Sequence, residues 1–284
     1  MSAAVERRRP GAARLLRRRV VASFLCATAA VLLYAMHSAW SLTLAHPMLV
    51  TGWVLLPAVL LLTLYNLRKK VDFLPAFASS TWLQIHLYLG YFSIVAFALH
   101  VGLRRPSGLL ESVLYACFAG AAFSGVFGIY VTRLVPPRLA NRGEEVIFER
   151  IPALIRRLRA EVQDLVLVAA REVDSTALPD LYLRSLHDFF SGPRNRWAHL
   201  RESRGPLRRL LREFEDLERF LGSEEKQTLA RLGECVRAKD DLDYHYVHQA
   251  LLKYWLFVHI PLAYGAALLG VLHVALVYAY GGVR

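Results

Sequence analysis

Five apolar runs, at about 20–40, 48–67, 82–103, 110–133 and 250–280, constrain this chain more than any other feature. Each is close to the ~20 residues that an α-helix needs to cross a hydrocarbon core about 30 Å thick. Each is apolar all round rather than along one stripe, as a helix facing lipid must be. Composition agrees, with 55% of residues hydrophobic and a mean hydropathy of +0.33. A purely soluble enzyme, a disordered chain and a disulfide scaffold are thereby excluded. Cys26, Cys117 and Cys235 form neither CxxC nor CxxCH, so a zinc ribbon and covalent haem attachment are excluded too. The expected fold is all-α: an integral membrane bundle of five transmembrane helices, with a helical insert between the fourth and fifth.

The net charge of +12 raises the question of nucleic acid, and its location answers it. Residues 137–247 carry 20 basic and 20 acidic side chains, so the whole excess lies in the membrane flanks. Seven arginines precede the first run, and Arg68, Lys69 and Lys70 follow the second. Basic residues concentrate on the cytoplasmic side of a membrane protein, which places the N-terminus and the polar insert in the cytoplasm and the tail Gly281–Arg284 outside. The expected location is a bacterial-type inner (plasma) membrane. The first run, with its basic flank, has the alternative of a cleaved signal peptide; Ala35–Trp40 offers no evident signal-peptidase site, so a retained span is the expectation, and either outcome leaves the remaining topology unchanged. The chain then divides into a basic N-terminus (1–19), four spans (20–136), the insert (137–247) and the fifth span with its tail (248–284).

The insert reads as helices over 144–173, 178–190, 207–221 and 223–245, separated by Ser191-Gly192-Pro193, Gly205-Pro206 and Gly222. It contains no GxGxxG, no P-loop and no alternating strand pattern. A helical cap or a partner-docking platform is the expectation.

Four of the ten histidines lie deep in two apolar runs: His86 and His100 in the third, His259 and His273 in the fifth. Both pairs are 14 residues apart, and Trp82–Leu103 aligned on Trp255–Leu276 gives nine identities in 22 positions. Fourteen residues are almost four helical turns, so both histidines of a run share a face, about 21 Å apart along the axis. The two runs cross in the same direction, which sets His86 at the depth of His259 and His100 at that of His273. Two imidazoles at each depth suit the two axial positions of a haem iron, its apolar ring buried among helices. A histidine can also serve as a hydrogen-bonding residue between helices, but four at matched depth in hydrocarbon imply function. Zinc, which takes three or four protein ligands, fits less well.

This doubled H-x13-H on two parallel spans resembles the di-haem membrane cytochromes b, which include cytochrome b of quinol oxidoreductases and the ferric-reductase-like transmembrane domain. The resemblance covers 82–134 and 250–280. It implies two non-covalent haem b groups, the cytoplasmic-side one held by His86 with His259 and the outer one by His100 with His273. The chain departs from those families in lacking a flavin- or NADPH-binding domain, the eight spans and the quinone-site motif of respiratory cytochrome b. The helical insert belongs to neither.

Arg104 and Arg105, just beyond His100, are candidates to pair with the outer haem propionates, and Arg133 and Lys253 with the cytoplasmic-side ones; interfacial snorkelling is the plainer alternative. Gly90, Gly102, Gly120, Gly125, Gly128, Gly265 and Gly270 either clear space for a macrocycle or serve ordinary helix packing. His245, a further 14 residues before His259, sits in polar sequence and is expected to be solvent-exposed or to contact quinone rather than to ligate. His37 and His46 read as interfacial, and His187 and His199 lack ligand spacing.

The expected function is a di-haem cytochrome carrying electrons across the membrane. It would be the membrane subunit of an oxidoreductase, exchanging electrons with a quinone or a partner subunit and surrounded by lipid. Two other classes stay open: a histidine-lined proton or metal transporter, and a cofactor-free scaffold. No span interior carries Asp or Glu, which proton paths usually recruit.

Overall fold

The structure, a computed structural model, describes residues 12–42, 47–67, 79–102, 104–142, 146–172 and 176–280. The sequence features at Arg7–Arg9, His46, Arg68–Lys70 and Gly281–Arg284 lie outside these. Among the described residues there is no strand. Five helices are long and apolar enough to cross a membrane: α1 (Ala12–Leu42), α2 (Pro47–Leu67), α3 (Ser79–Val101), α4 (Leu109–Ala140) and, after the shorter helices described below, α10 (Ser223–Tyr280).

The chain forms two compact units. The first comprises residues 1–126 and 257–284. Its helices leave large apolar side chains on the outside, including Phe24, Leu25 and Leu32 on α1 and Phe257 and Leu268 on α10. Its interior is built by close approach. Phe97 of α3 stacks on Phe118 of α4, with centroids 4.1 Å apart. A Cβ on Gly265 of α10 would stand 3.2 Å from Cys117 Sγ on α4, and one on Gly120 would stand 3.1 Å from Leu262. These two glycines therefore serve helix packing.

The second unit, residues 127–256, holds α5 (Ile151–Glu172) after a 3₁₀ turn, then α6 (Ala177–Leu181), a π turn (Tyr182–Leu186), α7 (His187–Phe189), α8 (Arg196–Leu200) and α9 (Gly205–Glu218). Its core is apolar, with Val162, Leu178, Leu186, Phe190, Leu232 and Val236 almost completely buried. Gly128 belongs here, not beside a histidine: a Cβ there would lie 1.9 Å from Trp255 Cζ2.

Several boundaries differ from the sequence reading: α1 begins at Ala12 rather than about 20, α5 at Ile151 rather than 144, and α8 was not expected. Two further differences extend the spans. The fourth span, read to about 133, continues as α4 through Pro136 and Pro137 to Ala140. Val131 and Val135 are buried, and that packing outweighs the backbone hydrogen bonds the prolines remove. The insert's last helix and the fifth span are one helix of 58 residues, α10. No Gly or Pro falls between Gly233 and Pro261, so nothing in the backbone stops it where the sequence turns from polar to apolar.

Candidate functional site: paired histidines

α3 and α10 carry the four histidines, and the structure brings them together in two pairs within the first unit. The His86 and His259 rings have centroids 6.4 Å apart and planes at 74°. His100 and His273 are 6.5 Å apart with planes at 88°. The separation is informative. Metal–imidazole bonds of about 2.0–2.1 Å on either side of one ion, with each nitrogen ~1.1 Å from its ring centre, put coaxial rings ~6.3 Å apart. The separations therefore leave room for one ion between the rings of each pair, and they also fall within the ordinary range of edge-to-face ring contacts, as for His199 and Tyr244 at 6.0 Å.

Local hydrogen bonds fix how two of these rings present themselves. His100 Nδ1 lies 3.0 Å from the Met48 carbonyl oxygen on α2, which can only accept, so Nδ1 carries the proton and donates. Thr51 Oγ1 is 3.2 Å from the same nitrogen and donates to the same carbonyl at 3.1 Å. His259 Nδ1 lies 2.8 Å from Ser124 Oγ on α4. That hydroxyl gives its proton to the Ala121 carbonyl at 3.0 Å and so accepts from the imidazole. In both rings Nδ1 is occupied and the lone pair is left on Nε2, the state in which a histidine ligates through Nε2 with its other nitrogen held. His86 is held differently: its partner is the backbone at Leu62 on α2, and the Tyr65 ring of the same helix lies 4.8 Å away.

One glycine makes room for a ring: a Cβ on Gly52 would stand 3.0 Å from His100 Cε1, whereas one on Gly125 would meet His259 Cε1 at 3.4 Å, an ordinary contact. Gly125 was legible as a candidate; Gly52, on a helix without a histidine pair, was not. Gly90 meets nothing within 4 Å and faces open space.

Around His100 and His273 lies a cavity of about 490 Å³, within the range of small-molecule and cofactor sites. Its walls are mostly apolar, from Leu56, Val59, Phe97, Phe118, Gly270 and Val274. Arg104 and Arg105 also line it and are exposed. Arg104 donates to Met48 Sδ at 3.2 Å, a weak acceptor that leaves most of the guanidinium available. Glu111 lines it too, its carboxylate receiving the Ser107 N–H and hydroxyl at 2.9 and 2.8 Å. Apolar walls, two imidazoles and two cations at one edge match a flat apolar ligand with acidic substituents. Among the described residues no group of three or more His, Cys, Asp or Glu is placed to hold a metal ion.

Other sequence candidates fare differently. Lys253 pairs with Glu149 and lies over the Phe148 ring, 4.1 Å from its centre, which commits it within the second unit and away from a propionate role. Arg133 is exposed. His37 is half-buried on α1, with Nδ1 buried and without a hydrogen bond.

His245 is not solvent-exposed. It is buried and its Nε2 donates to the Arg142 carbonyl at 2.5 Å. The polar neighbours that suggested solvent instead neutralise one another in the second unit. Arg142 binds both Asp240 and Asp241, and Lys239 binds Asp243 at 2.5 Å with both side chains fully buried. Tyr244 donates to Glu202 at 2.8 Å, and Arg142 lies over its ring. Glu202 adopts φ +58°, a strained conformation for a non-glycine residue that these contacts hold in place. His199 and His248, the latter unremarked in the sequence, are buried in the same cluster. Burial, assisted by the Arg142 charge, lowers His199 to about 4, and burial raises Asp243 to about 6 despite Lys239. Burial, with the hydrogen bond to Glu202, raises Tyr244 to about 12.

No family model, no curated protein and no solved structure matches this chain.

Proposed function

We propose that the chain is an integral membrane di-haem b-type cytochrome, with His86 and His259 as the axial ligands of one iron and His100 and His273 as those of the other. The observation that carries this reading is that the same two helices bring imidazoles opposite each other at two levels, His86 with His259 and His100 with His273. The engaged Nδ1 atoms of His100 and His259 support it, since they direct Nε2 toward ligation.

When bound, haem supplies a one-electron carrier at each level. The protein's part is to hold the rings in place, exclude water and set the electrostatics. Apolar side chains between α2, α3, α4 and α10 supply a low-dielectric enclosure, and Arg104 and Arg105 take the propionates at the His100–His273 level. Five apolar helices with large exposed apolar side chains suit insertion in lipid, with the N-terminus cytoplasmic by the seven arginines that precede the first apolar run, four of them in the first turns of α1. The two levels, about 21 Å apart along each helix, span most of a hydrocarbon core of about 30 Å. Electrons then enter and leave through a quinone or a partner subunit, since no flavin or iron–sulfur motif is in the chain.

Haem quantitation on the purified, detergent-solubilised protein tests this. Acid acetone should extract all the haem, at two per polypeptide, and dithionite should give a reduced b-type spectrum. A protein expressed with ample haem that carries none, or one, defeats the assignment.

A further inference from the structure

The insert is neutral as a whole, yet its charges are sorted. Residues 194–212 carry seven arginines and one carboxylate, Glu202, whereas residues 213–218 carry four carboxylates and no basic residue. The two stretches meet on α9, with arginines in its first half and acidic residues in its last. This order runs against the helix dipole, which favours acidic side chains at the N-terminus and basic ones at the C-terminus. It weakens the helix taken alone and points to a partner that uses the charge.

Arg196, Arg201, Arg204, Arg208, Arg209 and Arg212 are all exposed, and among the described residues none of them is paired with a carboxylate. Arg204, Arg208 and Arg212, four residues apart, form one stripe along α9. Trp197, on α8 between Arg196 and Arg201, is 74% exposed. The Glu202 carboxylate is already committed: it accepts from the Tyr244 hydroxyl at 2.8 Å and pairs with Arg138 at 3.4 Å.

Those two contacts also fix where the patch lies. Arg138 is in the last turn of α4, five residues past the fourth apolar run, and Tyr244 on α10 is six residues before the fifth. At a rise of 1.5 Å per residue, both points stand about 8–9 Å beyond the ends of the apolar runs. Lipid headgroups occupy about 5–8 Å on each side of the hydrocarbon, and their charge acts within a Debye length of about 10 Å at 0.1 M salt.

We propose that α8, residues 201–204 and the first half of α9 form a docking surface for anionic lipid headgroups of the cytoplasmic leaflet. This rests on the reading of the chain as a membrane protein with a cytoplasmic insert, and not on the haem assignment. Exposed guanidinium groups pair with headgroup phosphates, and an exposed indole beside them is the side chain that settles at a lipid interface. Basic segments close to a membrane span are drawn to the negative cytoplasmic surface. An acidic protein would match the charge as well, but the tie to the ends of α4 and α10 sets the patch where lipid is nearest.

Peptide-resolved hydrogen exchange on the full chain in bilayer nanodiscs tests the proposal. Discs of phosphatidylcholine alone are compared with discs in which part of the lipid is phosphatidylglycerol. Peptides from 194–212 should exchange several-fold more slowly in the anionic discs, and those from α5 should exchange alike in both. Salt at 1 M should remove the difference, because the Debye length falls to about 3 Å. Arg204→Gln, Arg208→Gln and Arg212→Gln combined should lose the protection, and Lys at the same three positions should keep most of it. The Gln variant removes charges that oppose the helix dipole, so its melting temperature in detergent should not fall, which separates lost docking from a folding defect. Equal exchange of 194–212 in the two kinds of disc, or protection that persists in the Gln variant, overturns the proposal. Protection by polyglutamate in solution but not by anionic lipid overturns it too, and assigns the surface to an acidic protein. A chain that does not enter bilayers at all would instead overturn the membrane reading beneath it.

Discussion

The same helix, α10, carries histidines in two surroundings. In the apolar unit His259 and His273 each face another imidazole at about the same distance, and His259 has one nitrogen engaged by a neutral hydroxyl. In the polar unit His245 and His248 spend a nitrogen on a backbone carbonyl, within a cluster that also holds Arg142, Asp240, Tyr244 and Glu202. The lesson is that a histidine's role follows from what its second nitrogen can reach. Where charges are close, the imidazole becomes one member of a neutralised network. Where apolar walls, a hydroxyl and another imidazole are close, the ring is held by neutral groups, the surroundings in which the proposed haem irons would sit.

The sharpest way to break this contrast is to remove histidines of each kind. His259→Ala or His86→Ala should abolish one of two haems and spare the other, and His100→Ala or His273→Ala should abolish the second. His245→Ala should keep both haems, although it leaves the Arg142 carbonyl without its donor and should lower thermal stability. Haem per polypeptide and the melting temperature separate these outcomes. A loss of haem in His245→Ala with none in His273→Ala would move the ligand register of α10 down by 14 residues and reverse the contrast.

The next largest effect concerns packing rather than ligation. Gly128→Ala would drive a Cβ to within 1.9 Å of the Trp255 indole, a rigid group that must move as a whole. Overpacking of this kind destabilises by about 1–3 kcal/mol. The melting temperature should fall while haem content stays at two per chain, since Gly128 belongs to the polar unit. Haem loss without a stability change would show that this glycine serves the apolar unit after all.

The two units also differ in how legible they were. The apolar helices could be read because composition alone reports them, and the histidine pairs because a spacing of 14 recurs on two helices and the polar sequence around His245 disfavours the alternative register it offers. Thr51, Ser124 and Gly52 were not legible. Each is a single small residue on a helix distant in sequence from the ring it steadies, and such residues have many uses in a packed bundle. The join within α10 was missed because a change from polar to apolar residues reads as a boundary, although helix propensity takes no account of it. The burial of His245, His248 and His199 was missed for a related reason: a run such as Lys239–Asp243 reads as a solvated face unless the groups that neutralise it, Arg142 and Gly192, are known to fold over it.

Within the polar cluster the opposed titrations of His199 and Asp243 give a pH test. His199 is lowered from 6.5 to about 4, so between those values the unfolded chain binds more protons and stability rises with pH. Asp243 is raised from 3.8 to about 6, so over that window the native state binds more protons and stability falls with pH. The windows overlap, and the wild-type protein should vary little in stability from pH 4 to 6 on account of this pair. His199→Gln should expose the falling slope and Asp243→Asn the rising one, whatever each does to stability at neutral pH. Denaturant melts across that range, with far-UV dichroism as the readout, would show the opposite signs. Equal slopes in the two variants would mean that the cluster titrates as one unit rather than as two opposed groups.

The smallest expected effect is at Arg104 and Arg105. Both are exposed at the edge of the His100–His273 cavity, so their field at an iron site is screened by water and salt. Adding an electron to that site adds negative charge, which nearby cations stabilise. Arg104→Gln with Arg105→Gln should therefore lower the midpoint of the His100–His273 component modestly and leave the His86–His259 component where it was. The shift should shrink as ionic strength rises, because the Debye length falls from about 10 Å at 0.1 M to about 3 Å at 1 M. A shift that ignores salt would point to a buried propionate contact instead of a field effect. A shift in the other component would place these arginines at the wrong level of the bundle, and with them the assignment of the cavity to His100 and His273.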